Sequence, residues 1–301
     1  MMLGFNANVA VAAINPHLSV VGTDNGGTSV GVVRYSADNG GPRLVLGKSR
    51  NGSIATGGGT IVQSGDTVGL IQFAADDGGD VATQAVQLLA SVHATPGTDD
   101  MPGRFVIKTT ADGSNSPTEH LRITDAGDIG IGDSAPSTKL HVTVADEDDG
   151  ITIECTNGGA SVGPILQLDR SSASPAAADI MGRIDFSGKD SGGNTLDYAN
   201  ISSRIVDPTD GSEDAGLTIS TKVAGTTRSR LDFNASQTVF NENSIDLDFR
   251  VESNGNTGML MVDGGENAVL IGTVTSRSDT GSSTHSAFQM EGTSGASSRF
   301  A

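Results

Sequence analysis

The stretch PTEHLRITDAGDIGIGDSAPSTKLHVTV, from Pro117 to Val144, sets the expectation for the whole chain. It holds a short alternating segment, an Asp-x-Gly turn at Asp125–Gly127, an Ile-Gly-Ile-Gly step, a connector with one proline, and a new alternating segment. A shorter version occurs at Met259–Gly272 (MLMVDGGENAVLIG), with Asp263 and Gly265 at the turn. We call this recurring stretch the joint. Its recurrence predicts that the segments between its copies recur as well.

Three blocks of sequence support such a repeat. His17–Val20 matches Lys139–Val142 at an offset of 122 residues, and the same offset places Gly41–Leu46 on Gly163–Leu168. Gly69–Phe73 matches Gly182–Phe186 at an offset of 113 residues, so the second copy is 9 residues shorter between the blocks. Insertions belong in surface loops, which predicts a loop in the first copy between Gly47 and Asp66.

A third copy begins at Phe288–Met290 by the same pattern. The expected organisation therefore has four parts: an N-terminal docking segment over residues 1–16, a first β module over 17–132, a second β module over 133–272 with a shorter central loop and a C-terminal joint, and a truncated third module or tail over 273–301.

Alternation of apolar and polar residues predicts an all-β fold. Val86, Leu88, Ala90 and Val92 share one face of a strand, and a similar alternation runs from Ile245 to Val251. Turn clusters such as Asp76–Gly79 separate these segments at close spacing, which is typical of antiparallel sheets. We expect tandem antiparallel β-sandwich-like modules.

The composition limits how such modules stay folded. The chain has no Trp, two Tyr, nine Phe and 41 Gly, so side chains for a thick core are scarce. Modules of about 110–120 residues with few large side chains have marginal cores, and their short strands leave open edges. Association of identical chains answers both problems, and three chains is the preferred count. The expected interface residues are those of the joints: Ile129, Ile131, Leu140, Val142, Val269 and Ile271.

Charge and cysteine content exclude several classes of protein. A net charge of −18 argues against binding nucleic acid or an anionic membrane surface, both of which need clustered Lys and Arg. The single Cys155 excludes an intramolecular disulfide framework. No apolar stretch has the length of a membrane helix, and the first basic residue is Arg34, so we expect neither membrane insertion nor a Sec-type leader.

Motifs for catalysis and metal binding are weak. Ser29 and Ser161 both lie in Gly-x-Ser-x-Gly, but no helical pattern follows either serine, as a nucleophile elbow requires. Cys155 shares a predicted strand face with Ile151 and Ile153, which indicates a small buried side chain. The five histidines have no zinc spacing, and the acidic run Asp146–Asp149 fails the Ca²⁺-loop pattern. We predict no catalytic residue, no cofactor and no metal site.

The order of several blocks resembles the repeat modules of tailed-bacteriophage fibre and spike proteins. The resemblance covers the segment from Leu18 to Val144 well, the second module more loosely, and Met259–Gly272 through the joint alone. The blocks that carry it are these: Gly65–Asp66, Gly69–Phe73, Thr95–Gly97, Asp100–Phe105, Pro117–Ile123, Gly130–Gly132 and Lys139–Val142. Such proteins are elongated and usually trimeric virion appendages used for host attachment. Many also carry a self-trimming chaperone domain, and nothing in this sequence resembles one.

The resemblance implies a structural virion protein: a subunit of a homotrimeric phage fibre or spike, on tail or capsid, that contributes to host attachment. Its expected partners are other copies of itself, other virion proteins through residues 1–16, and a glycan or protein of the host surface. Two alternatives stay open at this point: a polysaccharide-degrading spike enzyme, and a cellular surface adhesin or sheath subunit. The receptor-binding residues are not indicated by the sequence.

Overall fold

The structure is a computed structural model that describes residues 2–3, 19–20, 28–52, 59–147, 149–160, 162–272 and 288–290. These residues form strands and no helix, which confirms the predicted all-β class. No helix that could span a membrane occurs among them. The chain divides into two compact units, unit 1 from Met1 to Thr152 and unit 2 from Ile153 to Ala301. The sequence placed a module boundary earlier, between residues 132 and 133.

Unit 1 contains a short parallel pair and one larger sheet. The parallel pair consists of β1 (Met2–Leu3) and β2 (Ser19–Val20). The larger sheet has six strands in sequence order, antiparallel except for the last pair, which is parallel. Its strands are β3 (Thr67–Ala74), β4 (Gln84–Val92), β5 (Gly103–Thr109), β6 (Thr118–Ile123), β7 (Ile129–Ile131) and β8 (Leu140–Val142).

Unit 2 contains a five-stranded antiparallel sheet followed by a four-stranded sheet. The five-stranded sheet consists of β9 (Ile180–Lys189), β10 (Thr195–Asp207), β11 (Asp214–Val223), β12 (Thr226–Phe233) and β13 (Thr238–Phe240). The four-stranded sheet consists of β14 (Phe249–Ser253), β15 (Asn256–Asp263), β16 (Ala268–Ile271) and β17 (Phe288–Met290), and its last pair is parallel.

The two large sheets are interrupted at matching places. In unit 1 the register shifts at Thr67/Gly69 and Phe73/Ala74 between β3 and β4, and at Ile107/Lys108 between β5 and β6. In unit 2 it shifts at Ser203/Arg204 and Asp197/Ala199 between β9 and β10, and at Ile219/Ser220 between β11 and β12. Because β-bulges bend a strand locally, sheets with the same bulges have the same local twist and curvature.

A connector of one kind ends three of the hairpins. After β7, β13 and β16 the chain places one residue in the left-handed region: Gly132, Asn241 and Gly272. The amide of each donates back to the preceding strand, as from Gly132 N to His120 O at 2.9 Å and from Asn241 N to Arg230 O at 3.1 Å. The sequence predicted the first and third connectors. It missed the second, because Thr238–Asn241 lacks the Ile-Gly-Ile-Gly signature.

The hydrophobic core within the chain is thin. Among the described residues, few apolar side chains are buried, and three of them (Met261, Ala268 and Leu270) form one cluster in the four-stranded sheet. The other buried apolar residues are Val62, Val92 and Val106. The large aliphatic and aromatic side chains therefore lie mainly on the surface of the single chain.

Candidate subunit interface

One face of the six-stranded sheet carries an unbroken row of apolar side chains. Direct cross-strand partners point to the same face of a sheet, so the pairing defines this row without ambiguity. The row crosses all six strands through Ile71, Leu88, Ile107, Leu121, Ile131 and Val142. A neighbouring row on the same face contains Gly69, Ala90, Phe105, Ile123, Ile129 and Leu140.

Most of this face is uncovered in the single chain, although Leu46 packs on Gly69 at one end. Phe73, which lies on it two residues beyond Ile71, is 52% exposed, and Leu140 is 56% exposed. Ile71, Phe105, Ile123 and Ile131 are exposed as well. A contiguous exposed apolar face of this kind marks a binding surface for another macromolecule. We call it the apolar face of unit 1.

Unit 2 has the same row at the same register. The row crosses the five-stranded sheet through Ile184, Ile201, Ile219, Leu231 and Phe240. Exposed apolar side chains on this apolar face of unit 2 again include the edge-strand phenylalanine, Phe186, at 55%. An exposed apolar face is therefore present at the same register in both units.

The opposite face of the five-stranded sheet is polar, and a cluster within the chain pairs its buried charges. The guanidinium of Arg204 donates to both carboxylate oxygens of Asp232 at 2.9 Å and to Thr218 Oγ1 at 2.6 Å. Thr218 Oγ1 in turn donates to Asp232 Oδ2 at 2.7 Å. Asp232 is 6% exposed, and the hydrogen bonds from Arg204 lower the pKa of its carboxyl and raise that of the guanidinium. These charges therefore need no countercharge from another chain, whereas the buried hydroxyl of Ser229 on the same face has no hydrogen-bond partner.

The sequence-derived interface residues lie in the joints as expected from the pattern. Ile129, Ile131, Leu140 and Val142 are on the apolar face of unit 1, where Ile131 and Leu140 are exposed and the other two are half-buried. Val269 and Ile271 are half-buried on β16, on the face opposite to the buried Leu270. Whether another copy of the chain contacts these six residues remains a prediction. The sequence missed the remainder of the face, because alternation in one strand does not reveal whether its own chain covers it.

Glycine in the first joint serves contacts within the chain. Any side chain at Gly130 would clash with the backbone oxygen of Asp133. A side chain at Gly132 would clash with the backbone oxygen of Thr143. Asp133 lies in the connector after β7 and Thr143 directly follows β8, so this close backbone approach holds β7 against β8. His141 points to the other side of the sheet from Leu140 and contacts Asp133, with 2.6 Å between Nδ1 and Oδ2.

A second histidine ties the joint to the sheet. His93 Nδ1 lies 2.5 Å from Asp125 Oδ1, at the turn between β6 and β7. The hydrogen bond to His93 lowers the pKa of Asp125. Lys139 Nζ donates to Asp128 Oδ1 at 2.6 Å and to Ala126 O at 2.7 Å in the same turn. The charged groups of the joint thus pair with one another on the side away from the apolar face.

In the described part of the chain, the residues of the weak chemical motifs are not brought together with other catalytic or metal-binding groups. No helix follows Ser29, and Ser161 lies outside the described residues. No group of three His, Cys, Asp or Glu side chains is positioned to hold a metal ion there. The prediction that Cys155 is buried is wrong for the single chain, where it is exposed, because residues 151–155 form no strand and nothing in the chain covers them.

A pocket of about 520 Å³ lies within unit 2 between β13 and the four-stranded sheet. The rings of Phe240 and Phe249 line it with their centroids 4.7 Å apart, together with Leu247 and Val262. Phe240 also ends the apolar row of the five-stranded sheet. The pocket is therefore continuous with the apolar face of unit 2, and its lining gives no independent indication of a small ligand.

Comparisons with known proteins agree with this geometry at the level of the fold. The structure is similar to that of the carboxy-terminal domain of the bacteriophage T5 L-shaped tail fibre, with a TM-score of 0.55 and 14% sequence identity over 75% of this chain and 96% of that one. The chain has the fold of a phage tail-fibre domain. A structure of the same T5 domain with its intra-molecular chaperone domain matches with a TM-score of 0.56 and 14% identity, over 75% of this chain and 66% of that chain. No family model and no curated protein sequence matches this chain.

Proposed function

We propose that the chain is a structural subunit of a homotrimeric bacteriophage tail fibre that contributes to host attachment. The observation that carries this proposal is the uncovered apolar face, present at the same register in both units. The similarity in fold to the T5 tail-fibre domain supports the choice of virion appendage. The proposed location is therefore the surface of the phage particle, and the proposed activity is mechanical rather than enzymatic.

The large sheets of the two units each supply a single layer whose apolar side lacks a cover. A layer of this kind is stable only when other layers cover it, since about 25 cal/mol is gained for each Å² of apolar surface removed from water. Three identical layers around one axis enclose all three apolar faces through one repeated contact, and this arrangement closes on itself. Three copies per fibre also multiply weak contacts with a host surface into a strong attachment.

We propose further that the two large sheets are copies of one repeat. The matching bulges and the matching aliphatic rows support this, together with the sequence blocks at constant offset. Short parallel strand pairs lead into the successive copies, at β1–β2, β7–β8 and β16–β17. The proposed partners at the ends of this array are other virion proteins, contacted through residues 1–16, and a glycan or protein of the host.

The trimer is tested by comparing two adjacent substitutions on β3. Ile71→Asp puts a charge on the apolar face, whereas Gln72→Asp puts the same charge on the polar face of the same strand. Light scattering should give about 91 kDa, three times 30.4 kDa, for the wild type and for Gln72→Asp. Ile71→Asp should give monomer or aggregate. A wild-type chain that stays at about 30 kDa with a cooperative melt contradicts the proposal. A mass near 61 kDa would contradict the trimer and indicate a dimer in which two sheets form a sandwich.

The non-enzymatic assignment has its own test. The assembled protein is incubated with capsular or cell-wall polysaccharide, and reducing ends are measured over time. We expect no release above a heat-denatured control. Release that depends on native protein would favour the polysaccharide-degrading alternative.

A further inference from the structure

Two segments of the chain belong to no strand, and each contains a bend, at residues 37–39 and at residues 159–160. We name residues 30–47 the first arm and residues 151–169 the second arm, the latter described except for residue 161. Each arm carries large apolar side chains that are more than half exposed. They are Val30, Val32, Val33, Tyr35, Leu44 and Val45 in the first arm, and Ile151, Ile153, Val162, Ile165 and Leu166 in the second.

The backbone of both arms is largely unpaired as well. No described residue of either arm makes a backbone–backbone hydrogen bond, and at the bends the amides of Asp38, Gly40 and Gly159 donate only to nearby side chains. Backbone with unpaired donors and acceptors on both sides of a bend is a template for pairing with another strand. Water can form hydrogen bonds with the backbone groups. Exposure of apolar side chains such as Ile151 and Ile153 to water remains unfavourable. Both needs are met together only when the arm becomes a strand in a packed layer.

Each arm has a fixed base at the same place on the edge strand. Leu46 packs on Gly69 in the first arm and Leu168 on Gly182 in the second, so close that a Cβ on either glycine would lie 3.0 Å or 2.7 Å from the leucine Cβ. Salt bridges hold the next turn: Arg50 binds Asp66 at 2.7 Å, and Arg170 binds Asp179 at 3.0 Å. The arms are therefore anchored, and what extends beyond the anchors is not covered by the chain that carries it.

We propose that each arm is a strand donated to a neighbouring copy of the same chain. There it pairs with backbone of the neighbour and lays its apolar side chains against the neighbour's uncovered apolar surface. A second copy is the fitting occupant because the same chain supplies both halves of the contact: arms without a sheet, and apolar faces without a cover. Exchange of strands interlocks the copies, so that subunits separate only when the arms unfold. This inference rests on the proposed oligomer and specifies how it is held together.

Cys155 provides a direct probe, since it lies in the second arm and the alternation of the sequence places it on the same side as Ile151 and Ile153 once the arm is a strand. In the single chain the thiol is exposed. In the assembled protein we expect it to react with a thiol reagent at least about 100-fold more slowly than in denaturant, because reaction requires local opening of the arm. Amide hydrogen exchange should show protection over residues 151–156 and 163–169, and over 30–35 and 42–47 in the first arm.

A pair of adjacent substitutions in the arm separates the two sides of the strand. Ile153→Asp places a charge among the packed side chains, and Thr152→Asp places it on the other side. Ile153→Asp should restore fast reaction of Cys155, whereas Thr152→Asp should leave it slow. If Ile153→Asp does not assemble, the wild-type thiol and exchange measurements still decide the question.

Donation between copies is tested by mixing. Tagged and untagged wild-type assemblies are combined, and native mass spectrometry follows the appearance of mixed species. We expect none over days under native conditions, and a statistical mixture after joint unfolding and refolding. The failures are distinct. A monomeric chain defeats the proposed function itself. An assembly whose Cys155 reacts like a free thiol, with unprotected arm amides, overturns the arm proposal alone. A protected assembly that exchanges subunits within minutes shows that the arms fold back on their own chain.

Discussion

At the scale of single residues, the cluster of Arg204, Thr218 and Asp232 shows how the polar side of a thin sheet is held. Arg204 is the direct partner of Gly216, and a Cβ at that glycine would lie 2.8 Å from the guanidinium carbon. The missing side chain lets the guanidinium lie across β11 and reach Asp232 on β12. This cluster could not be predicted from the sequence, because Arg204, Thr218 and Asp232 lie at successive intervals of 14 residues and no local pattern joins them.

Replacing Asp232 by Asn should reveal this cluster in the pH dependence of stability. The folded-state pKa of Asp232 is lowered, chiefly by its hydrogen bonds to Arg204, so the contribution of the pair is present above the unfolded-state pKa of about 3.9 and is lost as the pH falls below it. Asp232→Asn leaves a partly buried guanidinium without its countercharge and should cost about 2–3 kcal/mol at pH 7.

The measurement is urea unfolding at fixed protein concentration, at pH 7, 5 and 3. The gap between wild type and Asp232→Asn should narrow as the pH falls, while Asp210→Asn, at an exposed turn position, should follow the wild type throughout. A gap that stays constant down to pH 3 would show that the carboxylate charge does not contribute.

At the scale of elements, periodicity predicted the strands well where turn residues separate them. It predicted them poorly where a side chain forms hydrogen bonds with the backbone of the expected strand. The alternation from Ile245 to Val251 predicts one strand, but β14 begins only at Phe249. Asn241 explains the difference, because its side chain donates to Ile245 O at 2.7 Å and accepts from Ile245 N at 3.3 Å. These bonds hold the first residues in a loop, and alternation alone cannot report such competition for the backbone.

The first joint makes a prediction for two glycines five residues apart. Gly127 and Gly132 both have positive φ, at 75° and 68°, so alanine at either position carries the strain of the left-handed region, about 1–2 kcal/mol. Space around Gly127 is open, whereas a Cβ at Gly132 would overlap Thr143 O in the strand that follows. Gly132→Ala should therefore destabilise the protein markedly more than Gly127→Ala, and should expose the amides of β8 to hydrogen exchange. Equal melting temperatures for the two variants would mean that β7 and β8 do not need this close approach.

At the scale of the whole molecule, the scarcity of large aromatic residues predicted a marginal core, and few apolar side chains are buried among the described residues. The sequence placed the missing cover at the joints alone and did not indicate the rest of the face. That information lies in the cross-strand register, which puts Ile71, Leu88 and Ile107 side by side although they are distant in sequence. Bulges shift the register by one residue, and no sequence pattern marked them.

The charge of the assembly leads to the last prediction. Each chain carries −18, so a trimer carries −54, and its subunits repel one another through their outer surfaces. Apolar contacts hold the proposed interface, so added salt should strengthen association by screening this repulsion, with a Debye length that falls from about 30 Å at 0.01 M to about 3 Å at 1 M. Wild-type protein refolded in 20 mM and in 500 mM NaCl and examined by sedimentation velocity should show an equal or larger trimer fraction at the higher salt. Dissociation on adding salt would mean that ion pairs, rather than the aliphatic rows, join the subunits.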